Sequence, residues 1–179
     1  MSTMMILPRL LYLNRMAIFR PKDKINRFNE LDIGSYKDRF KMILLDIDNT
    51  IAVPDTGNCD EEAARFIKKL QDNGFIVVIF SNNTKERVKR FIGDLDVEYY
   101  HMALKPLPFS YWIVCRKYGV KPSETLVLGD QLLTDILGAN LSGCHGIYTR
   151  QLVEKDSRMT ARNRKIEKFI WRNILHEEV

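Results

Sequence analysis

The chain has 179 residues, of which 45% are hydrophobic and 28% charged, so it is long enough for one globular domain and is not a disordered tail. Its net charge of +5 is uneven, because residues 1–41 carry +5 and residues 150–179 carry +3, whereas residues 42–149 carry −3. This distribution predicts a slightly acidic core with basic attachments and disfavours a uniformly basic nucleic-acid binder.

The N-terminal segment, residues 1–41, is apolar and basic. Its longest apolar stretch, residues 4–19, is broken by Pro8, Arg9 and Arg15, so it falls short of the roughly 20 apolar residues that a membrane span needs. It also lacks the small-residue cleavage site of a signal peptide. Apolar side chains interleaved with arginines instead favour contact with an anionic membrane surface, with packing on the core as the alternative.

Strands and helices alternate through residues 42–149. Apolar runs predict the strands, and apolar residues spaced along one face predict the helices, with Asp60 and Thr84 as helix N-caps. This alternation implies a parallel sheet with right-handed crossovers. The predicted elements are a strand at 42–47, a helix at 61–73, a strand at 75–80, a helix at 84–93, a strand at 98–100, a helix at 107–118, a strand at 125–128, a helix at 132–141 and a strand at 146–149.

The C-terminal segment, residues 150–179, is predicted to form a basic amphipathic helix. Ile166, Phe169, Ile170 and Ile174 recur at helical spacing, with lysines and arginines around them. Two interpretations remain open at this stage. The apolar stripe either packs on the core, as in most amphipathic helices, or contacts an anionic membrane surface.

Three cysteines lie far apart in the chain, at Cys59, Cys115 and Cys144. They show none of the close spacing of a zinc site. Scattered thiols in odd number are typical of a reducing compartment. We therefore expect a cytoplasmic protein and assign the cysteines no functional role.

Polar groups follow the predicted strands at the point where each strand ends. Asp46 and Asp48 end the first strand and share one of its faces; the other groups are Ser81 to Asn83, Lys105-Pro106, and Gly129-Asp130 with Asp135. The carboxyl ends of parallel strands meet at one edge of the sheet, so these groups should converge there. Adjacent carboxylates need a divalent cation or a proton to offset their repulsion. A cation, a lysine and backbone N–H groups together suit phosphoryl transfer.

The order of the motifs, DIDNT at 46–50, SNN at 81–83, KP at 105–106 and GDQLLTD at 129–135, resembles the haloacid dehalogenase (HAD) superfamily of phosphatases. The resemblance extends through residues 42–148. The SNN and GDQLLTD strings, and both flanks, are similar to the YqeG-type branch of subclass IIIA, which includes phosphatidylglycerophosphate phosphatases. The resemblance implies an α/β, HAD-like Rossmannoid fold with three α/β/α layers around a central parallel sheet.

The resemblance also implies roles for the residues that match the motifs. Asp46 would be the nucleophile that forms an aspartyl-phosphate, and Asp48 would be the general acid and base. Asp130 would bind Mg²⁺ together with the Asp46 side chain and the Asp48 backbone carbonyl, an all-oxygen ligand set that Mg²⁺ prefers. Lys105 would pair with the Asp46 carboxylate and with the substrate phosphate.

Other motif residues receive an implied role or an open alternative. Ser81 would bind a phosphate oxygen, with the Asn82 backbone amide beside it. Thr50 either helps to bind phosphate or is an ordinary turn residue. Asp135 either orients the lysine or a metal-bound water, or is an exposed acid on a helix. Arg87 either reaches the substrate phosphate or is a solvated charge on a helix.

The spacing between the motifs leaves no room for a cap domain. Asp48 and Ser81 are 33 residues apart, and Ser81 and Lys105 are 24 apart, so each interval holds one helical crossover. A HAD enzyme without a cap has an open site, which suits a phosphate on a protein, a nucleic acid or a lipid. The leading hypothesis is a Mg²⁺-dependent phosphomonoesterase that acts on an anionic phospholipid, phosphatidylglycerophosphate, at the inner face of the cell membrane.

Three alternatives compete with this hypothesis, and the second and third belong to other classes. A soluble phosphatase would act on a protein, sugar or nucleotide phosphate. A signalling receiver is disfavoured because Gly129-Asp130 follows Lys105-Pro106, an order that receivers lack. A non-catalytic RNA- or ribosome-binding protein could use the basic flanks, but every residue of the catalytic type is present, and nucleic acid is not the expected partner.

Overall fold

The computed structural model describes residues 17–154 and 158–177. The apolar run after residue 41 lies at the centre of the sheet. This run forms strand β2, whose four residues are all buried, as expected for a strand that is covered on both faces. All neighbouring strands are parallel, in the order β1-β6-β5-β2-β3-β4. The strands are β1 (Asp23–Ile25), β2 (Met42–Leu45), β3 (Ile76–Phe80), β4 (Glu98–Tyr100), β5 (Thr125–Gly129) and β6 (His145–Thr149).

Helices cover both faces of the sheet. One apolar cluster joins alternate residues of β2 to the inner faces of α1 and α2, and a second joins the other residues of β2 to α3 and α4. The result is the three-layer α/β/α arrangement predicted from the sequence. The helices are α1 (Glu61–Asp72), α2 (Lys85–Ile92), α3 (Pro108–Lys117), α4 (Leu137–Ser142) and α5 (Arg158–Ile170).

Both predicted helix caps are confirmed. The Asp60 carboxylate accepts a hydrogen bond from the Ala63 backbone N–H at 2.8 Å, and the Thr84 hydroxyl accepts one from the Arg87 N–H at 3.4 Å. Each cap satisfies one of the backbone donors that the first helical turn leaves unpaired. The Thr84 cap matters for function because it starts α2 only a few residues beyond the motif at Ser81.

Strand β1 was not predicted. It pairs with β6 at the edge of the sheet and lies within the part of the chain assigned to a basic N-terminal segment. Its three residues include Asp23 and Lys24, so it lacks the apolar run that marks the inner strands. Residues 1–16, to which most of the predicted membrane contact was assigned, lie outside the described residues. The division at residues 41 and 149 stays a prediction.

The predicted helix at 132–141 has an irregular start. Residues Leu132–Ile136 form one wide turn, in which the Ile136 N–H bonds to the carbonyl of Gln131, and α4 follows. Wide turns of this type occur mostly at functional sites. The first strand also ends earlier than predicted, at Leu45, so Asp46 begins the loop.

The C-terminal helix α5 packs on the core along one side. Ile170, Trp171 and Leu175 are buried together with Leu132 and Tyr148, whereas the side chains of Ile166 and Phe169 are exposed. The packing interpretation therefore holds for part of the apolar stripe. Within residues 17–154 and 158–177, no helix combines the length and the apolar character that crossing a membrane requires.

Candidate active site

The site lies beyond the carboxyl end of β2, between β3 and β5. The chain passes from β2 to β3 on one side and returns to β5 on the other, so this is the point at which the strand order reverses. Open α/β sheets bind ligands in the crevice at such a point. Asp46 starts the loop there, and its backbone N–H still bonds to the Leu128 carbonyl of β5 at 3.0 Å. The central strands thus fix the position of Asp46.

A buried lysine joins two carboxylates in this crevice. Lys105 Nζ lies 2.6 Å from Asp46 Oδ1 and 2.6 Å from Asp135 Oδ1. All three residues are buried. Charges taken out of water require partners of this kind. The predicted pairing of Lys105 with Asp46 is present, and Asp135 is a buried partner of the lysine and not an exposed helix acid.

The pKa values of this cluster reflect burial and mutual attraction. Burial raises the pKa of Asp46 to about 6, although the nearby Lys105 ammonium opposes the shift. Burial by itself lowers the pKa of Lys105, because it disfavours the charged ammonium. The carboxylates of Asp135 and Asp46 have the larger combined effect and raise this pKa above its ordinary value. Lys105 is therefore a fixed positive charge at neutral pH.

Asp130 forms the other side of the cluster. The Thr50 hydroxyl lies 3.1 Å from Asp130 Oδ1 and 3.2 Å from Asp46 Oδ2, so it can donate its single proton to either carboxylate. Arg164 of α5 ion-pairs with Asp130 Oδ2 and donates to the Asp130 carbonyl at 2.6 Å. Burial raises the pKa of Asp130 to about 8, against the opposing effect of the Arg164 guanidinium.

Asp48 has different surroundings from Asp46, although it is only two residues away. Its carboxylate accepts hydrogen bonds from Asn83 Nδ2 at 2.6 Å and from Arg87 Nη2 at 2.8 Å. Its side chain is partly exposed, whereas that of Asp46 is mostly buried. Arg87 Nη1 is buried and has no hydrogen-bond partner among the described residues. Arg87 therefore belongs to the site and is not a solvated helix charge.

The residues after β3 hold two parts of the site together. The Ser81 hydroxyl is buried and accepts hydrogen bonds from the backbone N–H of Asn83 at 3.2 Å and its side-chain amide at 3.0 Å. The Asn82 side chain accepts from the Lys105 N–H at 2.7 Å and donates to the Lys105 carbonyl at 3.2 Å. Asn82 thereby positions the loop that carries the lysine.

Gly129 leaves room for Asp135. A Cβ atom at residue 129 would lie 2.3 Å from Asp135 Cγ, so no other residue fits there without displacing that carboxylate. Asp135 Oδ2 in turn accepts a hydrogen bond from the Gln131 backbone N–H at 3.1 Å. The close approach and the wide turn at Leu132–Ile136 together direct Asp135 towards Lys105.

The carboxylates of Asp46, Asp130 and Asp135 are close enough together to hold a divalent cation. One oxygen from each lies within 4.8 Å of the others, and all three residues are buried. Hard divalent cations prefer oxygen ligands, and a cation would also offset the repulsion between the carboxylates. The Asp48 side chain is not in this group. The assignment of its backbone carbonyl to the metal stays a prediction, as do the phosphate-binding roles of Ser81, Asn82 and Thr50.

Three polar residues of the site received no role from the sequence. Asn83 was noted only as part of the SNN string, and its bonds to Asp48 and Ser81 depend on tertiary structure. Arg164 and Glu167 lie on α5, more than 30 residues after Asp130; Glu167 accepts from the Leu133 N–H at 2.9 Å and from Arg164 at 3.1 Å. The basic periodicity of α5 gave no signal that would separate Arg164 from its neighbours.

Comparisons with known proteins point to a family of phosphatases. The model of the family described as mitochondrial PGP phosphatase matches residues 2–154. A probable phosphatase, YqeG of Bacillus subtilis, is 31% identical over 153 residues, which span 85% of this chain and 89% of that protein. The mitochondrial phosphatidylglycerophosphatase GEP4 of Saccharomyces cerevisiae is 29% identical over 162 residues, with 82% and 84% of the two chains covered.

Two solved structures share the fold. The cobalt-bound form of deoxy-D-mannose-octulosonate 8-phosphate phosphatase from Haemophilus influenzae superposes with a TM-score of 0.53 at 14% identity, covering 76% of this chain and 90% of that one. A protein from Listeria monocytogenes superposes with a TM-score of 0.52 at 21% identity, covering 66% and 84%. These likenesses support the HAD-like α/β fold.

Proposed function

The chain belongs to the mitochondrial PGP phosphatase family, and from that membership we propose that this HAD phosphatase removes the terminal phosphate of phosphatidylglycerophosphate. Two relatives, from S. cerevisiae and Schizosaccharomyces pombe, are named as phosphatidylglycerophosphatases of mitochondria. The observation that carries the chemistry is the pair formed by the Asp46 carboxylate and Lys105 at the end of the central strand. The pair combines a nucleophile with a fixed cation that can also bind the substrate phosphate.

The first chemical step is assigned to Asp46 and Asp48. An oxygen of the Asp46 carboxylate forms a bond to phosphorus while the bond from phosphorus to the glycerol oxygen breaks. Asp48 gives its proton to the departing alkoxide, so the lipid leaves as an alcohol. Lys105 Nζ stays beside the attacking carboxylate and orients it through the 2.6 Å contact.

The second step restores the enzyme. Asp48, now ionised, takes a proton from a water molecule, and the hydroxide attacks the phosphorus of the aspartyl-phosphate. The bond between phosphorus and Asp46 breaks, which releases inorganic phosphate. Asn83 and Arg87 both donate to Asp48 and so hold its carboxylate in one place between the two steps.

Phosphate binding is assigned to groups around the cluster. The Ser81 hydroxyl, the Asn82 backbone amide and Lys105 would contact the phosphate oxygens. Arg87 offers the N–H groups of its unpaired Nη1 beside Asp48. Asp46, Asp130 and the Asp48 carbonyl would hold Mg²⁺, which would neutralise charge on the phosphate when bound.

A phosphate-release panel tests the proposal. Purified protein with MgCl₂ is given phosphatidylglycerophosphate, phosphatidate, nucleoside monophosphates and sugar phosphates. We expect the highest kcat/KM on phosphatidylglycerophosphate and no turnover in EDTA. Asp46→Asn should fold normally and lose turnover by more than about a thousandfold, the scale seen when a covalent nucleophile is removed.

The possible outcomes separate the parts of the proposal. Turnover by Asp46→Asn would refute the assigned nucleophile. Equal or higher kcat/KM on a soluble sugar or nucleotide phosphate would refute the lipid substrate and leave a soluble phosphatase. Circular dichroism and thermal denaturation of Asp46→Asn serve as the folding control.

A further inference from the structure

The exposed apolar side chains of this protein are concentrated in one short segment. Of ten exposed large hydrophobic residues in the described part of the chain, six lie within residues 102–113. Scattered exposed apolar residues are normal, but a contiguous group marks a contact surface. We call this group the apolar rim: Met102, Leu104, Leu107, Phe109, Trp112 and Ile113.

In sequence, the apolar rim brackets Lys105, a residue of the proposed active site. It begins two residues after β4 ends at Tyr100, at the same edge of the sheet as Asp46, and Lys105 lies inside it. The loop is held in place, because the Met102 N–H bonds to the Asn83 carbonyl at 2.9 Å and Asn82 binds the Lys105 backbone. The exposure of the rim is therefore a property of the folded loop.

Helix α3 contributes apolar residues to both the inside and the outside of the molecule. Its inner face buries Tyr111, Val114 and Cys115, whereas Phe109, Trp112 and Ile113 face solvent. A surface helix usually has a polar outer face, and a helix that is apolar all round is usually covered. Among the described residues, Phe109, Trp112 and Ile113 nevertheless remain 63%, 44% and 54% exposed.

We propose that the apolar rim is the surface by which the protein docks on an anionic lipid bilayer. The inference rests on the proposed lipid substrate. The charge of the segment favours this partner: between Glu98 and Glu124 there is no acidic residue, and three basic residues are exposed there, namely Arg116 one turn beyond Trp112, Lys117, which pairs with Glu98, and Lys121. Apolar side chains with basic neighbours are typical of surfaces that bind anionic membranes.

Helix α4 contacts both the rim and the described end of the apolar N-terminal segment. The Asn140 side chain of α4 donates to the carbonyls of Ile18 at 2.7 Å and Arg20 at 3.0 Å. The Trp112 indole of α3 donates to the Ser142 carbonyl at the end of α4 at 3.1 Å. The segment predicted from its sequence to contact membrane thus joins the fold at the helix beside the rim.

Docking at this surface places the site against the lipid headgroups. The rim flanks the loop that delivers Lys105, so a bilayer in contact with it meets the same edge of the sheet as Asp46. A phosphomonoester on a lipid headgroup could then reach the cluster while its acyl chains stay in the bilayer. This arrangement agrees with the absence of a cap over the described site.

Vesicle co-sedimentation with a matched pair of variants tests the proposal. Leu107→Ser/Phe109→Ser removes two rim residues that are 49% and 63% exposed, and Ile166→Ser/Phe169→Ser removes two residues of α5 that are 47% and 61% exposed. The full chain should bind phosphatidylglycerol vesicles more strongly than phosphatidylcholine vesicles. The rim variant should bind at least about tenfold more weakly, because burial of one large apolar side chain strengthens binding by about that factor or more. The α5 variant should bind as strongly as the parent protein.

Tryptophan fluorescence gives a second measurement in the same vesicles. Trp112 is 44% exposed and Trp171 is 4% exposed, and the chain has only these two tryptophans. Brominated phosphatidylglycerol should quench the parent, and Trp112→Phe should abolish that quenching. Unchanged quenching in Trp112→Phe would overturn the proposal.

Further controls separate this inference from the proposed function. Hydrolysis of p-nitrophenyl phosphate by the rim variant should equal that of the parent, so a loss confined to vesicle binding is due to docking. Equal loss of binding in both variants, or no vesicle binding by the parent, would overturn the proposal. So would a dimer on size exclusion that the rim variant alone disperses, because the rim would then bind a second copy.

Discussion

Two aspartates that are neighbours in sequence have different chemical environments in the fold. Asp46 is buried beside a lysine, and burial raises its pKa to about 6. Asp48 is partly exposed and accepts hydrogen bonds from Asn83 and Arg87. Enzymes assign different tasks to two carboxylates through such differences. The sequence placed both acids at one strand end, but Asn83, Arg87 and Lys105 lie 35 or more residues further along the chain.

Gly129 provides a test at the scale of one residue. Gly129→Ala forces a Cβ atom into Asp135, so the Asp135 carboxylate must move away from Lys105. We expect a loss of about 1–3 kcal/mol in the free energy of unfolding, as is usual for overpacking, together with a lower kcat. Urea denaturation and phosphate release measure the two effects.

A second glycine serves as the control for that prediction. Gly57→Ala has no atom within 4 Å of the new Cβ and should leave both stability and turnover unchanged. If Gly129→Ala behaved like Gly57→Ala, the close approach would not position Asp135.

At the scale of elements, the apolar patterns were sufficient for the inner strands and the helices that cover them. Buried parallel strands are continuous apolar runs, and the covering helices have a clear periodicity, so both leave a local signal. The convergence of Asp46, Lys105 and Asp130 could also be predicted, because a parallel topology brings the carboxyl ends of the strands to one edge of the sheet. Strand β1 left no such signal, since a short edge strand can be charged.

The contribution of α5 to the site could not be predicted for a related reason. In the sequence, Arg164 and Glu167 cannot be distinguished from the other charged residues of a basic amphipathic helix. In the fold, Arg164 joins Asp130 to Glu167, which is 2% exposed. Helix α5 therefore closes one side of the carboxylate cluster, and its sequence alone predicts only an amphipathic face.

Removal of this link should destabilise the protein. Arg164→Met leaves the buried Asp130 and Glu167 carboxylates without their shared cation, a change that costs about 3 kcal/mol or more when a buried ion pair is broken. The neighbouring Lys165 is exposed, so Lys165→Met should have almost no effect. Urea denaturation of the two variants checks the difference, and equal stability would show that Arg164 does not hold α5 to the site.

At the scale of the whole molecule, the buried acids couple stability to pH. The pKa values of Asp46 and Asp130 are about 6 and about 8, both raised above the ordinary value of 3.8 by burial. The folded protein therefore binds these protons more tightly than the unfolded chain does. The tighter proton binding by Asp46 and Asp130 in the folded state adds to the free energy of unfolding below about pH 4. This contribution is lost as pH rises through 6 and then 8.

Metal binding should reverse this loss. A divalent cation binds the ionised carboxylates and competes with protons, so its affinity should rise over the same pH range. We expect MgCl₂ to raise the Tm, relative to EDTA, more at a pH above 8 than at a pH well below 6. Thermal denaturation measures the shift. Asp130→Asn should lose most of the Tm increase that MgCl₂ produces. A Tm increase that does not change with pH would contradict the coupling between proton and metal binding.

The ion pairs around Lys105 also have a consequence for the order in which ligands bind. With the carboxylates of Asp46, Asp130, Asp135 and Glu167 ionised, Lys105 and Arg164 leave a net charge of −2 in this cluster. This charge would repel a dianionic phosphate, whereas a divalent cation would neutralise it. The buried charges thus favour entry of the metal before the phosphorylated substrate.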